Sequence, residues 1–289
     1  MSNYYPRFVQ VINYIDDNLE QELSVERLSQ LVHLSKYHFH RQFSALFGMT
    51  LARYIRLCRD KQAGFKLAYR SEYSVIDIAF SCGFDSSEAF SRAFKKTIGQ
   101  SPSAFRKSPD WKAWHQYHQP LTELRINNMK KLDIDYQTNI VYIDEIKIAT
   151  LVHTGAPELI GQSIQQFIIW RKANKLPPGI SRTFNLIYDD PNTTAPEDYR
   201  FDLCASTNQV VEDNEQGVFN SVIPSGKCAV IRHIGSDDGL GEIANYLYGQ
   251  WLEQSDETLR DFPLFFERVS FFPEVSENQM ITDVYLPIN

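Results

Sequence analysis

Two short apolar segments with helical spacing flank a glycine in the first half of the chain. Between residues 75 and 82 the apolar positions follow a helical period, and Ser74 before them is a candidate N-cap. Gly83 can adopt the left-handed conformation of a tight turn, and Phe84 beside it can pack into the core. A second helix is predicted from near Ser86, and its inward positions are Ala89, Phe90, Ala93 and Phe94. The pattern predicts two helices joined by a tight turn.

The outward face of this second helix is polar and basic. Its predicted members are Ser87, Glu88, Ser91, Arg92, Lys95 and Lys96. Gly99 and Pro102 are expected to end the helix. In a helix-turn-helix, the second helix lies in the major groove of DNA and presents such a face to bases and phosphates. This face is therefore a candidate DNA-contact surface.

An earlier segment repeats the arrangement. Ser24 is predicted to cap one helix and Ser35 the next, which ends at Gly48. The inward positions of that next helix are Phe39, Phe43, Leu46 and Phe47. Its outward positions are Lys36, Tyr37, His40, Arg41 and Ser44. The chain therefore contains a second candidate helix-turn-helix.

A long helix is predicted to connect the two motifs. Its apolar positions start at Leu51 and include Tyr54 and Cys58, whereas Gly64 inside it costs about 1 kcal/mol relative to alanine. A rigid connector would fix the separation of the two reading helices. At one duplex turn apart, roughly 34 Å, they would enter two adjacent major grooves of double-stranded DNA without a dimer.

The second motif resembles a known family signature. In the AraC/XylS family of bacterial transcription activators, the signature runs through a Gly-Phe turn, a Phe-Ser-Arg-Ala-Phe-Lys-Lys helix and a Gly-x-Ser-Pro-x-x-Phe-Arg ending. The matching parts here are Gly83-Phe84, Phe90 to Lys96 and Gly99 to Arg106. The resemblance implies an all-α, bipartite helix-turn-helix domain over residues 1–108. It also implies sequence-specific DNA binding, an activator, and RNA polymerase as a partner.

The second half of the chain contains an internal repeat. Residues 147–155 and 227–235 share the pattern K-x-A-x-[LI]-x-H-x-G. Each copy is predicted to be a strand that ends at glycine, followed by an amphipathic helix and two strands. Two such strand-helix-strand-strand units predict an α+β domain with pseudo-twofold symmetry over residues 127–289, after a linker at 109–126. The cleft where two such halves meet is a usual ligand site.

This half resembles the gyrase-inhibitor-like domain, which is also found as the drug-sensing part of multidrug regulators. The resemblance implies a small-molecule effector. The family often has an acidic residue on a late strand near the pocket, and Glu267 matches it. Period-two alternation places Glu267 on the same strand face as Phe265, Val269 and Phe271. Four further aromatic residues come from elements expected around the same cleft: Trp170, Tyr188, Trp251 and Tyr285.

Two interpretations of Glu267 are open. A carboxylate on an apolar, aromatic face is costly unless it has a partner. It therefore either holds a cationic ligand or is an edge-strand glutamate that is hydrogen-bonded within the protein. The first interpretation predicts a bulky, apolar, cationic effector. An uncharged, lipid-like effector requires that the protein itself supplies a donor to Glu267.

The charge of the chain is divided unevenly. The net charge of −7 would argue against nucleic-acid binding if it were spread evenly, but residues 1–125 contain 17 Lys and Arg against 12 Asp and Glu, and residues 126–289 contain 12 against 24. From Ser35 to Lys112 the count is 14 basic against 6 acidic, which is the electrostatic signature of a phosphate-contacting module. No apolar run reaches the ~18 residues that span a bilayer. We expect a cytoplasmic, nucleoid-associated protein with no membrane partner.

No pattern in the sequence favours a metal, a cofactor or a catalytic residue. The four cysteines lack C-x-x-C spacing, and His38 and His40 diverge on a helix. His115 and His118 are expected in a partly buried, aromatic-rich linker. Without a Ser/His/Asp, P-loop or metal motif, an enzyme is not expected. Two other functions stay open: a protein-interaction module, and a hydrolase of reactive small molecules, which the gyrase-inhibitor-like resemblance allows through a pocket Tyr and Glu.

Overall fold

The computed structural model describes residues 4–131 and 136–289. The chain divides into two compact units, which are described separately. They are unit 1, residues 1–131 with Phe272–Asn278, and unit 2, residues 132–271 with 279–289.

Unit 1 is helical in its described part. Its helices are α1 (Tyr4–Asp17), α2 (Val25–Leu31), α3 (Lys36–Phe47), α4 (Leu51–Tyr69), α5 (Val75–Ser81), α6 (Ser87–Ile98), α7 (Pro102–Lys107) and α8 (Trp111–Lys131). The helices α2 with α3 and α5 with α6 form the two predicted helix-turn-helix motifs. The predicted N-caps Ser24, Ser35 and Ser74 are confirmed, because each hydroxyl accepts a hydrogen bond from the backbone amide three residues later. Ser86 caps α6 in the same way.

The two helix-turn-helix turns use different residues for the same backbone conformation. Gly83 has a φ of 79°, and a Cβ there would lie 2.8 Å from Arg59 Nη1. The turn between α2 and α3 instead contains His33, whose φ is 55°. A non-glycine residue in the left-handed region costs roughly 1–2 kcal/mol. The first turn is therefore formed without the glycine that marks the second one in the sequence.

The prediction of a linker at 109–126 is wrong, because α8 begins at Trp111 and is packed into unit 1. Trp114 and Leu121 of α8 are buried in the two hydrophobic clusters of unit 1, one around each helix-turn-helix motif. The connecting helix α4 also contributes to both clusters, through Tyr54 on one side and Leu67 on the other. The two motifs are thus held by a shared pair of long helices.

Unit 1 contains a buried ionic cluster that the sequence did not predict. Arg125 of α8 forms ion pairs with Asp16 of α1, at 3.2 Å, and with Glu277 of the segment Phe272–Asn278. Lys61 of α4 also pairs with Glu277, at 2.6 Å, and the hydroxyl of Tyr54 donates to Asp16 at 2.9 Å. Burial raises the pKa of Asp16, and the nearby Arg125 opposes this change. The cluster fastens α1, α4, α8 and the segment Phe272–Asn278 together inside unit 1.

Unit 2 is built on an eight-stranded antiparallel sheet in its described residues. The strands are β1 (Asn139–Ile143), β2 (Ile146–Thr154), β3 (Thr183–Ile187), β4 (Arg200–Ser206), β5 (Phe219–Ile223), β6 (Gly226–Ile234), β7 (Leu264–Arg268) and β8 (Ile281–Pro287). The helices are α9 (Ile160–Ala173), α10 (Leu240–Tyr246) and α11 (Leu252–Gln254), with a π-helical turn at Leu247–Trp251 between the last two.

The sheet order, β1-β6-β8-β7-β3-β4-β2-β5, is symmetric about the pairing of β3 with β7. The predicted strand-helix-strand-strand repeat is confirmed as β2-α9-β3-β4 and β6-α10-β7-β8. The edge strands β1 and β5 were missed by the sequence analysis. Each lies just before one repeat in the chain but pairs with the other: β1 with β6, and β5 with β2. The two repeats are therefore joined at three places in one sheet.

The two faces of the sheet carry different side chains. The helix-covered face packs Trp170 with Leu151 and Leu203, and it packs Trp251 on the cluster around Phe266 and Ile243. The other face buries a separate cluster, whose members are Ile148, Phe184, Leu186, Cys204, Ile223, Cys228 and Phe265. The prediction that Trp170 and Trp251 surround the same cleft as Glu267 is therefore wrong, because both lie on the opposite face of the sheet.

Gly64 of α4 leads to a test of the packing in unit 1. A Cβ at this position would overlap the indole ring of Trp114. We expect Gly64→Ala to lower the free energy of unfolding by about 1–3 kcal/mol, although alanine gains up to ~1 kcal/mol in helix propensity. Urea unfolding followed by circular dichroism measures the change.

The matched control for that variant is Gly241→Ala in α10, where a Cβ would have no neighbour within 4 Å. We expect its stability to be unchanged or raised. Equal responses of the two variants would show that helix propensity, and not the close approach of Trp114, decides the outcome at Gly64.

Candidate DNA-binding surface and ligand site

The outward faces of α3 and α6 carry the predicted polar residues. On α6, Phe90 and Phe94 are fully buried, so the opposite side of the helix faces outward. Glu88, Arg92, Lys95 and Lys96 are exposed, while Ser87 and Ser91 are half-buried. On α3, the exposed side chains are Lys36, Tyr37, His40 and Arg41. The structure thus presents both predicted sets on the surface of unit 1.

The basic residues of unit 1 fall into two groups. One group is used inside the unit: Arg56 pairs with Asp60 at 2.7 Å, and Arg59 donates to the carbonyl of Leu19 at 2.8 Å. In the other group no ion pair is formed with any described residue, and its members include Arg41 of α3 and Arg92, Lys95 and Lys96 of α6. These four cations lie on α3 and α6. The outward faces of the two helices therefore keep the positive charge that phosphate binding uses.

Glu88 is the acidic residue of the α6 face. The pKa of Glu88 lies below its ordinary value, because the carboxylate accepts hydrogen bonds from its own backbone amide and from Ser86. Glu88 is therefore ionised at neutral pH and acts only as an acceptor. A carboxylate in this position on a reading helix can accept from the amino group of cytosine.

Glu267 in unit 2 has protein partners on both oxygens. Arg182 donates from Nε to Oε1 and from Nη2 to Oε2, both at 2.7 Å, and the hydroxyl of Tyr285 donates to Oε2 at 3.2 Å. The strand β7 lies between β8 and β3, so Glu267 is hydrogen-bonded but is not on an edge strand. The carboxylate is thus satisfied by Arg182, a residue that the sequence analysis did not identify.

Glu267 is one of three carboxylates on this face that pair with arginines. It lies directly opposite Asp283 in the pairing of β7 with β8. Asp283 binds Arg232 through two hydrogen bonds of 2.7 Å, and Asp202 binds Arg200 in the same way at 3.0 and 2.8 Å. Like charges opposite each other are destabilising. The arginines therefore neutralise a face that would otherwise carry adjacent negative charges.

The aromatic residues expected near Glu267 occupy different places. Phe265 lies on the same face, as predicted, and stacks on Tyr285 with 4.7 Å between ring centroids. Phe265 is only 1% exposed, so it is a closed part of the core. Tyr188 lies one residue beyond β3 and contacts Arg200, whose Cζ is 3.9 Å from the ring centroid. Phe271 lies beyond the end of β7 at Arg268, so the predicted alternation does not extend to it.

Tyr285 is a hydrogen-bond donor in this arrangement. Burial raises its pKa well above the ordinary value, and the carboxylates of Glu267 and Asp283 raise it further. The hydrogen bonds to Glu267 likewise raise the pKa of Arg182. At neutral pH the pair of donors around Glu267 is therefore fully protonated.

A cavity of about 650 Å³ lies beside this cluster in unit 2. Its lining residues are Ile143, Asp144, Glu145, Ile146, Lys147, Leu176, Ile180, Arg182, Ser206, Thr207, Asn208 and Gln209. Arg182 belongs both to this lining and to the pair with Glu267. No sequence motif marks the cavity, because its walls come from three separate stretches of the chain, 143–147, 176–182 and 206–209.

The described residues contain no group of three or more His, Cys, Asp and Glu side chains positioned to hold a metal. His118 of α8 is buried, which lowers its pKa to about 3, and its Nδ1 lies 2.9 Å from the carbonyl of Trp114. Among the described helices, none is both long and apolar enough to cross a membrane.

Comparison with known proteins identifies both parts of the chain. Residues 136–289 match the family model of the GyrI-like small molecule binding domain, and residues 28–108 match that of a helix-turn-helix domain. The probable transcriptional regulator YgiV of Escherichia coli K12 is 38% identical over 161 residues, which is 55% of this chain and 99% of that protein.

Two further relatives match shorter stretches. The uncharacterized HTH-type transcriptional regulator YbfP of Bacillus subtilis is 42% identical over 104 residues, which is 36% of this chain and 35% of that protein. Transcriptional regulator Rob of Salmonella typhimurium is 33% identical over 101 residues, which is 35% of each chain. The chain belongs to the GyrI-like family, and it is a DNA-binding transcriptional regulator of the AraC family that carries a GyrI-like domain.

Proposed function

We propose that this regulator activates transcription in response to a small apolar or cationic compound bound by unit 2. The observation that carries the proposal is that one chain combines two regions. The helices α3 and α6 expose cations without ion pairs to described residues, and the GyrI-like sheet has Glu267 paired with Arg182, which lines a cavity. As an activator in the cytoplasm, associated with the nucleoid, it acts with RNA polymerase. Single-round transcription with purified polymerase tests the direction of regulation.

For DNA recognition, we propose that Arg41 and Arg92 reach base edges or adjacent phosphates from α3 and α6. Their exposure and their lack of ion pairs with described residues support this role. Around them, Lys36, Tyr37, His40, Ser87, Glu88, Ser91, Lys95 and Lys96 complete the two contact faces. An arginine can bind guanine through two hydrogen bonds, whereas a lysine most often neutralises phosphate.

Two variants of α6 distinguish a residue that contacts a base from a residue that contacts phosphate. If Arg92 binds a guanine, Arg92→Ala should cost about 1–3 kcal/mol of binding free energy and relax the preference at one position. Lys95→Ala should weaken binding to all sequences and reduce the salt slope by about 1. Selection from a random duplex library, followed by titrations at several salt concentrations, measures both effects.

The control for the DNA measurements is Lys172→Ala on the exposed face of α9 in unit 2, which removes the same charge away from the reading helices. We expect its DNA affinity to equal that of the parent protein. A normal footprint from the double variant Arg41→Ala, Arg92→Ala would rule out the proposed contact faces.

For effector binding, we propose that the face with Glu267, Tyr285 and Phe265 is the recognition surface. A carboxylate that is only 14% exposed beside aromatic rings suits a cation with apolar substituents. Tyr188 lies at the rim of the same face, next to Arg200. Because Phe265 is closely packed, we propose that the ligand binds at the polar rim of this face, near Arg182, and not within the aromatic cluster.

The second prediction concerns the charge of the effector. Titration of the full chain with tetraphenylphosphonium should give binding that Glu267→Gln weakens about tenfold, which is ~1.4 kcal/mol. Triphenylphosphine oxide, a neutral compound of similar shape, should bind parent and variant alike. If Glu267→Gln binds the cation as tightly as the parent does, the carboxylate is not the recognition element, and an uncharged effector is favoured.

The alternative function is hydrolysis of reactive small molecules by Tyr285 and Glu267. The hydroxyl of Tyr285 lies 3.2 Å from Oε2 of Glu267, but neither group is free to act as a base or a nucleophile. The raised pKa keeps Tyr285 protonated, and Arg182 engages both oxygens of Glu267. We therefore propose binding without turnover. Incubation of the full chain with an epoxide, followed by mass spectrometry, should give no diol above the uncatalysed rate.

A further inference from the structure

Arg182 fills the position that a cationic ligand of Glu267 would take. Its guanidinium makes two hydrogen bonds of 2.7 Å to the two carboxylate oxygens, and its Cζ lies 4.9 Å from the ring centroid of Phe184. A planar cation held by a carboxylate and an aromatic ring is a common mode of cation recognition. The Arg182 side chain is itself 52% exposed, whereas that of Glu267 is 14% exposed. The more exposed Arg182 side chain thus covers the carboxylate of Glu267.

The surroundings of Arg182 provide another place for its side chain. Arg182 lines the 650 Å³ cavity together with Asp144 and Glu145, and both of these carboxylates are exposed. Glu267 is not part of the cavity lining. Rotation of Arg182 towards Asp144 and Glu145 would exchange one carboxylate partner for others. The same rotation would leave Glu267 without its arginine.

After such a rotation, Glu267 would be a partly buried carboxylate without a cationic partner. Glu267 would stand opposite Asp283 in the sheet, and only Asp283 would keep its arginine, Arg232. Tyr285 can supply a single hydrogen bond to one oxygen of Glu267. A partly buried carboxylate that loses its charged partner pays a large desolvation penalty. A cation that replaces both hydrogen bonds of Arg182 therefore binds Glu267 more favourably than a cation that replaces neither.

We propose that Arg182 is a built-in occupant of the effector site, and that the effectors of this protein displace it with an amidinium or guanidinium group. The inference rests on the proposed function and names the chemical class of its ligand. Amidinium is planar and carries two parallel N–H donors, so it can reproduce both hydrogen bonds to Glu267. A quaternary cation has no N–H group and leaves both oxygens without donors from the ligand. Arg182 therefore selects for cations that match its own geometry.

The test is isothermal titration of the full chain with benzamidinium and with its neutral analogue benzamide. We expect Arg182→Ala to bind benzamidinium at least tenfold more tightly than the parent does, because no internal cation competes. Benzamide should show no such gain, and tetraphenylphosphonium should gain less than benzamidinium. The double variant Arg182→Ala, Glu267→Gln should lose the gain.

The charge-matched control is Lys172→Ala, which removes an exposed cation of α9 that has no carboxylate partner among the described residues. It should bind benzamidinium as the parent does. Arg182→Gln, which keeps one donor for Glu267, should give an intermediate affinity and covers the case in which Arg182→Ala does not fold. Near-ultraviolet circular dichroism shows whether each variant retains its native packing.

Three outcomes would overturn the assignment: no gain in either folded Arg182 variant, an equal gain in Lys172→Ala, or an equal gain for benzamide. The first would mean that Arg182 does not compete with ligands. The second would mean that the gain in affinity comes from the lower net positive charge of the protein. The third would mean that it comes from the space that the removed side chain leaves. These titrations contain no DNA, so their failure leaves the proposed function standing. The proposed function fails separately, if no compound bound by unit 2 changes transcription.

Discussion

The need to pair partly buried charges is the physical constraint on which this structure depends. In unit 1 it draws Arg125, Asp16 and Glu277 into one cluster that fastens helices distant in sequence. In unit 2 it sets arginines against Glu267 and Asp283 on neighbouring strands. An unpaired charge at a partly buried position costs several kcal/mol, so each ion pair stabilises the fold. Each pair also opposes the binding of any ligand that would contact one of its two charged groups. Under the proposed recognition mode, a cationic ligand of unit 2 competes with Arg182 for the carboxylate of Glu267.

The same constraint divides the basic residues of unit 1 between structure and DNA binding. Arg56 and Lys66 pair with acidic residues inside the unit, so they contribute little to the field that DNA meets. The cations of α3 and α6 keep their charge for phosphates and bases, although the whole chain has a net charge of −7. The long helices α4 and α8 contribute to the cores of both helix-turn-helix motifs, and this shared packing gives the bipartite domain its rigidity.

Local signals made the helical half predictable, and long-range pairing made the rest difficult. N-caps such as Ser74 and turns such as Gly83 act within a few residues, so their chemistry is visible in the sequence. The stretch predicted as a linker packs as a helix instead, because Trp111, Trp114 and Leu121 contact residues that are distant in the sequence. The strands β1 and β5 are short edge strands, and each is stabilised by the opposite repeat. The partner of Glu267 was missed for a similar reason, since Arg182 lies 85 residues away and no spacing rule connects them.

The central claim is that ligand binding and DNA binding are coupled in this chain. Thermodynamic linkage requires that a ligand which changes the DNA affinity has its own affinity changed by DNA to the same extent. The most direct measurement is calorimetric titration of tetraphenylphosphonium into the full chain, free and saturated with a duplex selected for tight binding. The account predicts two dissociation constants that differ by about 5–150-fold, as is typical of allosteric proteins, with the difference abolished in Glu267→Gln. Equal dissociation constants with and without DNA would contradict it.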